Sequence, residues 1–431
     1  MKIHFIGVGG MGLSALALYF KQLGNEVSGS DVLNSSMVKM LLDHDVNVRV
    51  GHMPVDKSFD VIVKSSAVSD KDPEVLQATK MRIPVLDRMD FFAEYVEPLV
   101  GITGTDGKSS TTHMVEWIAV KNGMDPTFLC GAIPKDLENV NFRMGSGGII
   151  AEVDESDPKI KKVRSEIACL TNLRYDHLER YGNDPLNQLK TVKQYLGNAH
   201  YTVVPDDFDF DASMTFGETG DLSFELLSSS FSEQMFKVRY KGESHVTRLP
   251  IVGKHQIYNA LAAIGAGLLL GISLKKCTDA LADYPGLRRR LEVIYSGDVC
   301  VVDDYAHTPK EVQASIESVK PYFRKTTAIF EPHRYSRFVR EHEKFAISLL
   351  GADEIFVTDI FGAFESNDKV KSNILAEELR KRWKATAKFV KLEEIVHKLK
   401  EDPRGVYLFM GAGNVTNVAH KFAKELGELK W

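Results

Sequence analysis

The chain has 431 residues, 44% of them hydrophobic, and a formal net charge of −5. This length exceeds what one hydrophobic core supports and predicts about two to four domains. The acidic balance argues against general nucleic-acid binding, which needs clustered Lys and Arg. The four cysteines lack metal-binding spacing, no apolar run could span a membrane, and the chain opens directly on a strand-like segment. We therefore expect a cytoplasmic protein.

The first region, 1–96, alternates short apolar strands with helices, which predicts a Rossmann-like parallel sheet. The predicted strands are 3–7, 26–30, 46–50 and 60–64, and the predicted helices are 13–23 and 37–44. The segment Gly7-Val8-Gly9-Gly10-Met11-Gly12 satisfies the GxGxxG pattern directly after the first strand, and Asp31 follows 19 residues later. This arrangement predicts a diphosphate at a helix N-terminus and an acid near a ribose. NAD, another nucleotide diphosphate and a tight turn without ligand all remain compatible with it.

The second region, 97–292, carries a phosphate-binding pattern. A predicted strand at 99–103 runs into Gly-Thr-Asp-Gly-Lys-Ser-Ser at 104–110, and a predicted helix follows at 111–120. The backbone N–H groups of such a loop surround phosphate oxygens, the lysine neutralises them, and the hydroxyl ligates Mg²⁺. The generic pattern also needs a glycine at position 102, where the chain has Ile102. The segment is therefore either a compressed phosphate loop or a surface turn that contains Gly-Lys-Ser by chance.

Polar residues follow two more predicted strands of this region, at 148–154 and 167–172. Glu152 opens an acidic cluster, and the pair Asp176-His177 lies in the loop after the second strand. A nucleotide enzyme places its magnesium ligand on a carboxylate that emerges from a central strand. The shared position beside a phosphate loop favours metal or phosphate chemistry over a solvated acidic patch. The rest of the region predicts antiparallel strands within 222–250 and a helix at 256–270.

The third region, 293–431, repeats the α/β rhythm, with strands predicted at 299–303, 327–330, 354–358 and 405–410. Tyr305 and His307 follow the first of these strands, and the segment from His333 to Arg337 follows the second. Two arginines three positions apart can clamp a carboxylate or phosphate, because guanidinium offers a fork of donors. A surface salt-bridge cluster is the competing interpretation.

In their order along the chain, these motifs resemble those of the Mur ligase family, the ATP-dependent enzymes that form amide bonds in peptidoglycan precursor synthesis. The resemblance covers nearly the whole chain and includes a compressed phosphate loop of the kind found here. It is carried by the segments 7–12, 104–109, 152–157, 176–177, 255–263, 289–290, 303–309 and 332–337. The last two segments are the most typical of the alanine-adding branch. The resemblance implies three α/β domains: Rossmann-like for the UDP-substrate, a central P-loop ATPase domain, and a Rossmann-like domain for the amino acid.

The resemblance also implies the ligands and the residues that bind them. ATP and Mg²⁺ are the implied cofactors, and UDP-N-acetylmuramate and L-alanine are the implied substrates. The implied ATP-binding residues are Gly104, Thr105, Asp106, Gly107, Lys108, Ser109, Ser110, Asn259, Arg289 and Asp304. The implied metal ligands are Ser109, Glu152 and His177, and the implied catalytic residues are Lys108, Glu152, His177 and Arg290. The implied substrate-binding residues are Gly9, Gly10, Met11, Gly12, Ser30, Asp31, Ser66, Tyr305, His307, His333, Arg334 and Arg337.

Two positions depart from the alanine-adding pattern, and other functions compete with it. Asp106 stands where that branch usually has histidine, and Gln256 where it usually has asparagine. A nicotinamide-dependent oxidoreductase would account for the first glycine motif but not for the phosphate loop. An inactive binding subunit would not need Lys108, Glu152 and His177 intact. Murein peptide, folate and cyanophycin ligases are related alternatives, and the segment 332–337 argues against them.

Overall fold

The computed structural model describes residues 1–175, 177–363, 365–367, 369–401 and 404–428, with only the backbone of Glu428. Over these residues the chain forms three sheets, each flanked by helices. The described residues divide into two compact units. The first contains Met1–Ser228, Met235–Pro250 and His255–Pro285, and the second contains Ser229–Gln234, Ile251–Lys254 and the described residues from Gly286 onward.

The first sheet is parallel and Rossmann-like, as the alternating pattern predicts. Its strands are β1 (Lys2–Ile6), β2 (Glu26–Asp31), β3 (Asn47–Val50), β4 (Val61–Lys64) and β5 (Val85–Asp87). Its helices are α1 (Met11–Gln22), α2 (Ser36–Asp43), α3 (Pro73–Met81) and α4 (Arg88–Tyr95). The strand order is β3-β2-β1-β4-β5, so the direction of winding reverses beside β1. Ligands of open α/β sheets bind at such a reversal, beyond the carboxyl ends of the strands.

The second sheet has a buried parallel centre and an edge of hairpin strands. Its strands are β6 (Val100–Thr103), β7 (Thr127–Leu129), β8 (Phe142–Arg143), β9 (Ile149–Glu152), β10 (Ile167–Leu170), β11 (Tyr201–Pro205), β12 (Met214–Gly217), β13 (Leu222–Ser229), β14 (Gln234–Tyr240) and β15 (Glu243–Leu249). Its helices are α5 (Lys108–Lys121), α6 (Pro185–Gly197), α7 (Lys254–Leu269) and α8 (Leu274–Leu281). β6 lies between β10 and β9 and is parallel to both, so the three strands end at one edge. The turn Lys241-Gly242 has two positive φ angles, 47° and 85°, which is the geometry of an antiparallel hairpin.

The third sheet belongs to the second unit. Its strands are β16 (Glu292–Ser296), β17 (Val299–Asp304), β18 (Thr326–Phe330), β19 (Glu354–Val357), β20 (Ala387–Phe389) and β21 (Gly405–Met410). Its helices are α9 (Pro309–Val319), α10 (Tyr335–Leu349), α11 (Asn373–Trp383), α12 (Ile395–Leu399) and α13 (Val415–Glu428). β21 lies between β17 and β18 and is parallel to both, while β16 is antiparallel to β17. The carboxyl ends of β17, β21 and β18 are therefore neighbours.

Burial explains why the apolar runs form strands. Every residue of β6, β10 and β18 is buried, as expected for strands covered by helices on both faces. One hydrophobic cluster includes residues of both the first and second sheets, which is why the two share a compact unit. All four cysteines are buried free thiols. No helix in the described part of the chain is long and apolar enough to cross a membrane. The predicted boundaries at 96/97 and 292/293 stay predictions.

Candidate active site

The phosphate loop is a rigid bend between β6 and α5. Gly104 has a φ of +131°, and a Cβ there would overlap the Thr171 hydroxyl. The amide of Thr105 donates to the carbonyl oxygen of Asn172 over 3.1 Å, and the amide of Asp106 donates to the Asn172 side chain, also over 3.1 Å. The loop is thus held against the residues that follow β10. The pattern-breaking Ile102 is a fully buried residue of β6, so it contributes to the core.

Lys108 is the first residue of α5, and acidic groups hold its charge. Its ammonium donates to the Gly104 carbonyl oxygen over 2.7 Å and to a Glu155 carboxylate oxygen over 2.6 Å. Burial alone would lower the pKa of Lys108, but the carboxylates of Glu155, Asp154 and Glu152 outweigh it and raise the pKa above its ordinary value. Lys108 is therefore a permanent cation folded back over the phosphate loop. Glu155 is the partner that an incoming phosphate would have to replace.

Ser109 and Glu152 form a pair of oxygen donors beside this lysine. The Ser109 hydroxyl donates to the Glu152 carboxylate over 2.7 Å, and the amide of Gly131 donates to the same oxygen over 3.0 Å. A hydroxyl and a carboxylate next to a phosphate site are the hard ligands that Mg²⁺ prefers. The residues present therefore fit a magnesium ion, with Ser109 and Glu152 as its protein ligands.

His177 lies in the loop after β10 with a left-handed backbone, φ +54°. Its Nδ1 atom is 3.6 Å from a carboxylate oxygen of Glu179. Asp176, its predicted neighbour in the motif, lies outside the described residues. No group of three or more His, Cys, Asp and Glu side chains in the described chain forms a ready metal cage. The metal-ligand role of His177 therefore stays a prediction.

The two departures from the alanine-adding pattern each have a structural partner. The carboxylate of Asp106 forms an ion pair with Arg174 at 2.8 Å. The side-chain amide of Asn259 donates to the side-chain oxygen Oε1 of Gln256 over 3.2 Å, and both residues are buried. The predicted adenine-contacting residue is thus anchored by Gln256, while Asp106 secures the phosphate loop to the next loop. Ser110 is also buried, within the first turn of α5.

Gly107 is the position at which the loop tolerates least change. Its φ is +82°, and a Cβ would overlap the Asn259 side chain. We expect Gly107→Ala to weaken ATP binding by at least roughly 10-fold, because left-handed backbone costs an L-residue about 1–2 kcal/mol and Asn259 must also move. Gly123→Ala is the matched control, since Gly123 has φ +81° with open space at its Cβ. Titration calorimetry with ATP would contradict the expectation if both variants bound equally well.

The first glycine motif is stabilised by residues at the end of β2. The amide of Gly9 donates to the Asp31 carboxylate over 2.9 Å, and the same carboxylate accepts from the amide of Leu33, also over 2.9 Å. Asp31, predicted to lie near a ribose, therefore also fixes the glycine loop. The Ser30 hydroxyl donates to buried Glu74 over 2.9 Å.

The remaining predicted residues of this motif surround the start of α1. Gly10 is its N-cap and has no side-chain cap, which leaves backbone N–H groups there available to an anion. Met11 and Gly12 are its first residues, and Ser66 is exposed in the turn after β4. These positions surround one end of the parallel sheet, where the strand order places a ligand.

In the second unit, two arginines flank one aromatic ring. The guanidinium groups of Arg289 and Arg290 lie 4.9 Å and 5.2 Å from the centre of the Tyr305 ring. Arg289 also donates to the carbonyl oxygen of Gly411 over 2.6 Å. Asp304 is buried and accepts a hydrogen bond from Ser315 on α9, and burial raises its pKa to about 6.

His307 and Glu311 form a polar corner at the start of α9. The carboxylate of Glu311 accepts from the amides of His307 and Thr308, each over 3.0 Å, and lies 3.8 Å from Arg290. Burial would raise the pKa of Glu311, but His307, Arg290 and the two amides lower it to about 2. The His307 ring is 5.4 Å from the ring of His333, the next predicted residue.

The second polar corner surrounds His333, between Arg337 and Phe361. The ring of His333 stacks on Phe361 at 5.9 Å, and its Nδ1 atom is 3.2 Å from the Arg337 guanidinium. Burial, His307 and the two arginines of this corner lower the pKa of His333 to about 3, so the ring is neutral at pH 7. Arg334 has a strained φ of +67° and donates its amide to the carbonyl oxygen of Phe361 over 2.8 Å. Strain of this kind is retained where the surrounding structure requires it, often at functional sites.

The structure thus assembles the predicted residues into three polar groups, two in the first unit and one in the second. It adds residues to which no motif had assigned an individual role. Five of these are Glu74, Arg88, Glu155, Glu311 and Phe361. Glu155 and Glu311 could have been found as acids close to predicted motifs, while the others depend on tertiary contacts.

Models of known protein families match the chain in three consecutive segments. They are described as the Mur ligase family catalytic domain at residues 2–98, the Mur ligase middle domain at 102–267, and the Mur ligase glutamate ligase domain at 289–413.

Individual proteins match the chain over its full length. The UDP-N-acetylmuramate–L-alanine ligase of Thermotoga neapolitana is 34% identical, with 99% of this chain and 97% of that protein covered. The crystal structure of the UDP-N-acetylmuramate–alanine ligase of Thermotoga maritima superposes with a TM-score of 0.88 at 30% identity, covering 100% of both chains. A murein peptide ligase from Psychrobacter arcticus superposes with a TM-score of 0.72 at 21% identity and 100% coverage of both chains, which indicates a shared fold.

Proposed function

The chain belongs to the Mur ligase family, and from this premise we propose that it is an ATP-dependent ligase that joins L-alanine to the lactyl carboxylate of UDP-N-acetylmuramate. The observation that carries the proposal is the pairing of Ser109 with Glu152 next to Lys108. A protein that only bound a dinucleotide at its GxGxxG motif would not need a second phosphate loop. It would also not need a carboxylate paired with the serine hydroxyl of that loop. A nicotinamide-dependent oxidoreductase therefore has no support beyond the first glycine motif.

The phosphate loop residues would bind and activate ATP. Lys108 would exchange Glu155 for the β- and γ-phosphates, and the N-terminal N–H groups of α5 would bind the same oxygens. Mg²⁺, held by Ser109 and Glu152 and by His177 in the family pattern, would neutralise charge on the phosphates and on the substrate carboxylate. Asn259 would contact the adenine, and Arg289 or Arg290 the phosphate side.

The chemistry follows from the poor reactivity of a carboxylate toward amines. A carboxylate oxygen attacks the γ-phosphorus, ADP leaves, and an acyl phosphate results. The neutral amine of L-alanine then attacks the acyl carbon and a tetrahedral intermediate forms. Inorganic phosphate leaves with the electron pair of the broken C–O bond, and the nitrogen releases a proton to solvent or phosphate to give the amide. Lys108 stabilises the negative charge of the moving phosphoryl group, because a fixed cation in a buried site needs no reorganisation during the reaction.

The polar residues of the second unit would bind the other reactants. Arg334, Arg337 and His307 suit the anionic UDP-N-acetylmuramate, since guanidinium groups pair with carboxylates and phosphates in a forked geometry. Tyr305 and His333 would form the alanine pocket, where a neutral ring does not repel the amino group. We assign binding of the UDP-substrate to residues 1–96, binding of ATP to residues 97–292 and binding of the amino acid to residues 293–431.

We place this reaction in the cytoplasm, as a step of peptidoglycan precursor synthesis. The buried free cysteines are consistent with a reducing compartment.

The test is phosphate release from ATP and Mg²⁺ across a matrix of UDP-N-acetylmuramate and single amino acids. We expect release only with both substrates present, strongest with L-alanine and absent after chelation of Mg²⁺. A murein peptide ligase would instead respond to a peptide acceptor in place of L-alanine. Release that needs no UDP-substrate, or any change in NADH absorbance, would contradict the proposal.

A further inference from the structure

Arg88, the first residue of α4, reaches the start of α1. Its Nη1 atom lies so close to Gly12 that a Cβ at Gly12 would overlap it. Gly12 has no left-handed backbone, so the last glycine of the GxGxxG pattern is needed here for space. Because Cα–Cβ bonds in a helix tilt toward its N-terminus, a group in this space lies on the N-terminal side of Gly12. The guanidinium therefore lies at the end of α1 where an anion would bind.

A second nitrogen of the same guanidinium, Nη2, is held by the acidic segment 152–157 of the proposed ATP-binding region. Nη2 of Arg88 donates to the Asp154 carboxylate over 2.5 Å. This hydrogen bond fixes the orientation of the Arg88 fork. Asp154 lies within the same short segment as Glu152, which bonds Ser109, and Glu155, which bonds Lys108.

The acids next to Arg88 along the chain are neutralised by lysines. Asp87 pairs with Lys64 at 2.8 Å and with Lys159, and Asp90 pairs with Lys159 at 2.5 Å and Lys162 at 2.7 Å. Among the described carboxylates, Asp154 alone lies within ion-pair distance of Arg88. One side of the guanidinium is therefore committed to Asp154, and the side toward Gly12 meets no carboxylate.

We propose that Arg88 is a diphosphate-binding residue for the UDP-linked substrate, with Asp154 as the residue that positions it. Nη1 of Arg88 donates to the diphosphate at the N-terminus of α1 while Nη2 stays on Asp154. The inference rests on the proposed function and deepens it, because one side chain then touches the UDP-substrate and the acidic segment that holds the ATP-site residues. Forked donors suit this double task, because Nη1 and Nη2 reach two separate groups from one planar guanidinium, whereas a lysine offers its donors from a single nitrogen.

The test compares UDP with uridine, which lacks the phosphates. We expect Arg88→Ala to weaken UDP binding by about 10- to 100-fold, the range for a charge-assisted hydrogen bond to an ion, and to leave uridine binding unchanged. Arg88→Lys can keep the ion pair with Asp154 and the fold. We expect its affinity for UDP to fall about 10-fold and its affinity for uridine to stay unchanged. Titration calorimetry measures the affinity for UDP, and ligand-detected NMR measures the affinity for uridine.

Lys162→Ala is the matched control. Lys162 pairs with Asp90, which lies on the same helix as Arg88, and the Lys162 side chain is 57% exposed. The UDP and uridine affinities of this variant should equal those of the wild type. Equal losses for UDP and uridine in Arg88→Lys would indicate a merely structural role and overturn the assignment, as would unchanged UDP binding in both Arg88 variants. If the wild-type protein itself does not bind UDP, the proposed function fails instead.

Discussion

Replacing Lys108 with alanine is expected to reduce ligation by roughly 10³-fold or more while leaving UDP-N-acetylmuramate binding nearly intact. The lysine ammonium hydrogen-bonds the Gly104 and Thr105 carbonyl oxygens of the phosphate loop. Its ammonium is the cation proposed to meet the phosphates, so its loss removes charge stabilisation from the transferred phosphoryl group. Initial rates of phosphate release and calorimetry with the UDP-substrate measure the two effects separately.

The variant creates a second change that needs its own control. Without Lys108, the Glu155 carboxyl is buried with no cation at hydrogen-bond distance, and burial already raises its pKa to about 7. We expect Glu155 to become protonated, since a buried carboxyl without a partner neutralises instead of staying charged. The double variant Lys108→Ala/Glu155→Gln removes that carboxylate altogether. Activity restored by the second substitution would show that repulsion from Glu155, and not the loss of the lysine, had caused the defect.

Much of the fold could be predicted because strands covered on both faces consist of apolar residues in short runs. The predicted strand at 405–410 matches β21 residue for residue, and the helix predicted at 13–23 differs from α1 by two residues at its start and one at its end. The short strands β8 and β20 carry too few apolar residues to give a pattern of their own. They form because the neighbouring strands offer unpaired backbone groups, which is a tertiary cause.

Less of the candidate site could be predicted, because a motif identifies a residue but not its partner. Gly12 is predicted as a substrate-binding residue of the glycine motif, and the motif gives no sign of Arg88 beside it. Asp31 reads as a ribose ligand, yet its carboxylate also holds the Gly9 amide. Partners of this kind are far apart in the chain, and only the folded sheet brings them together.

Replacing Glu74 with alanine is expected to destabilise the first unit by about 3–5 kcal/mol, because each buried donor left without an acceptor costs about 1–3 kcal/mol. Glu74 and His4 are almost fully buried, and the Glu74 carboxylate accepts from His4 over 2.8 Å. It also accepts from the Ser30 hydroxyl over 2.9 Å and the Met53 amide over 2.7 Å. Its removal leaves three donors without this acceptor, two of them on the buried side chains of His4 and Ser30. Differential scanning calorimetry should show a fall in Tm of roughly 2–4 °C for each kcal/mol.

The pH dependence of the stability loss distinguishes the contribution of the Glu74 charge from that of its packing. Burial would raise the pKa of Glu74, but His4, the Met53 amide and Ser30 outweigh it and lower the pKa below its ordinary value of 4.5. A lowered carboxyl pKa adds stability above the unfolded value and loses it as the pH falls through the folded value. The Tm gap between the wild type and Glu74→Gln should therefore narrow in acid.

Glu26→Ala is the control, because Glu26 is an exposed carboxylate of β2 that pairs with Lys2 at 3.2 Å. This variant should lose no more than about 1 kcal/mol of stability. A gap that stayed constant from pH 7 to well below 4.5 would mean that the Glu74 site depends on packing and not on its charge.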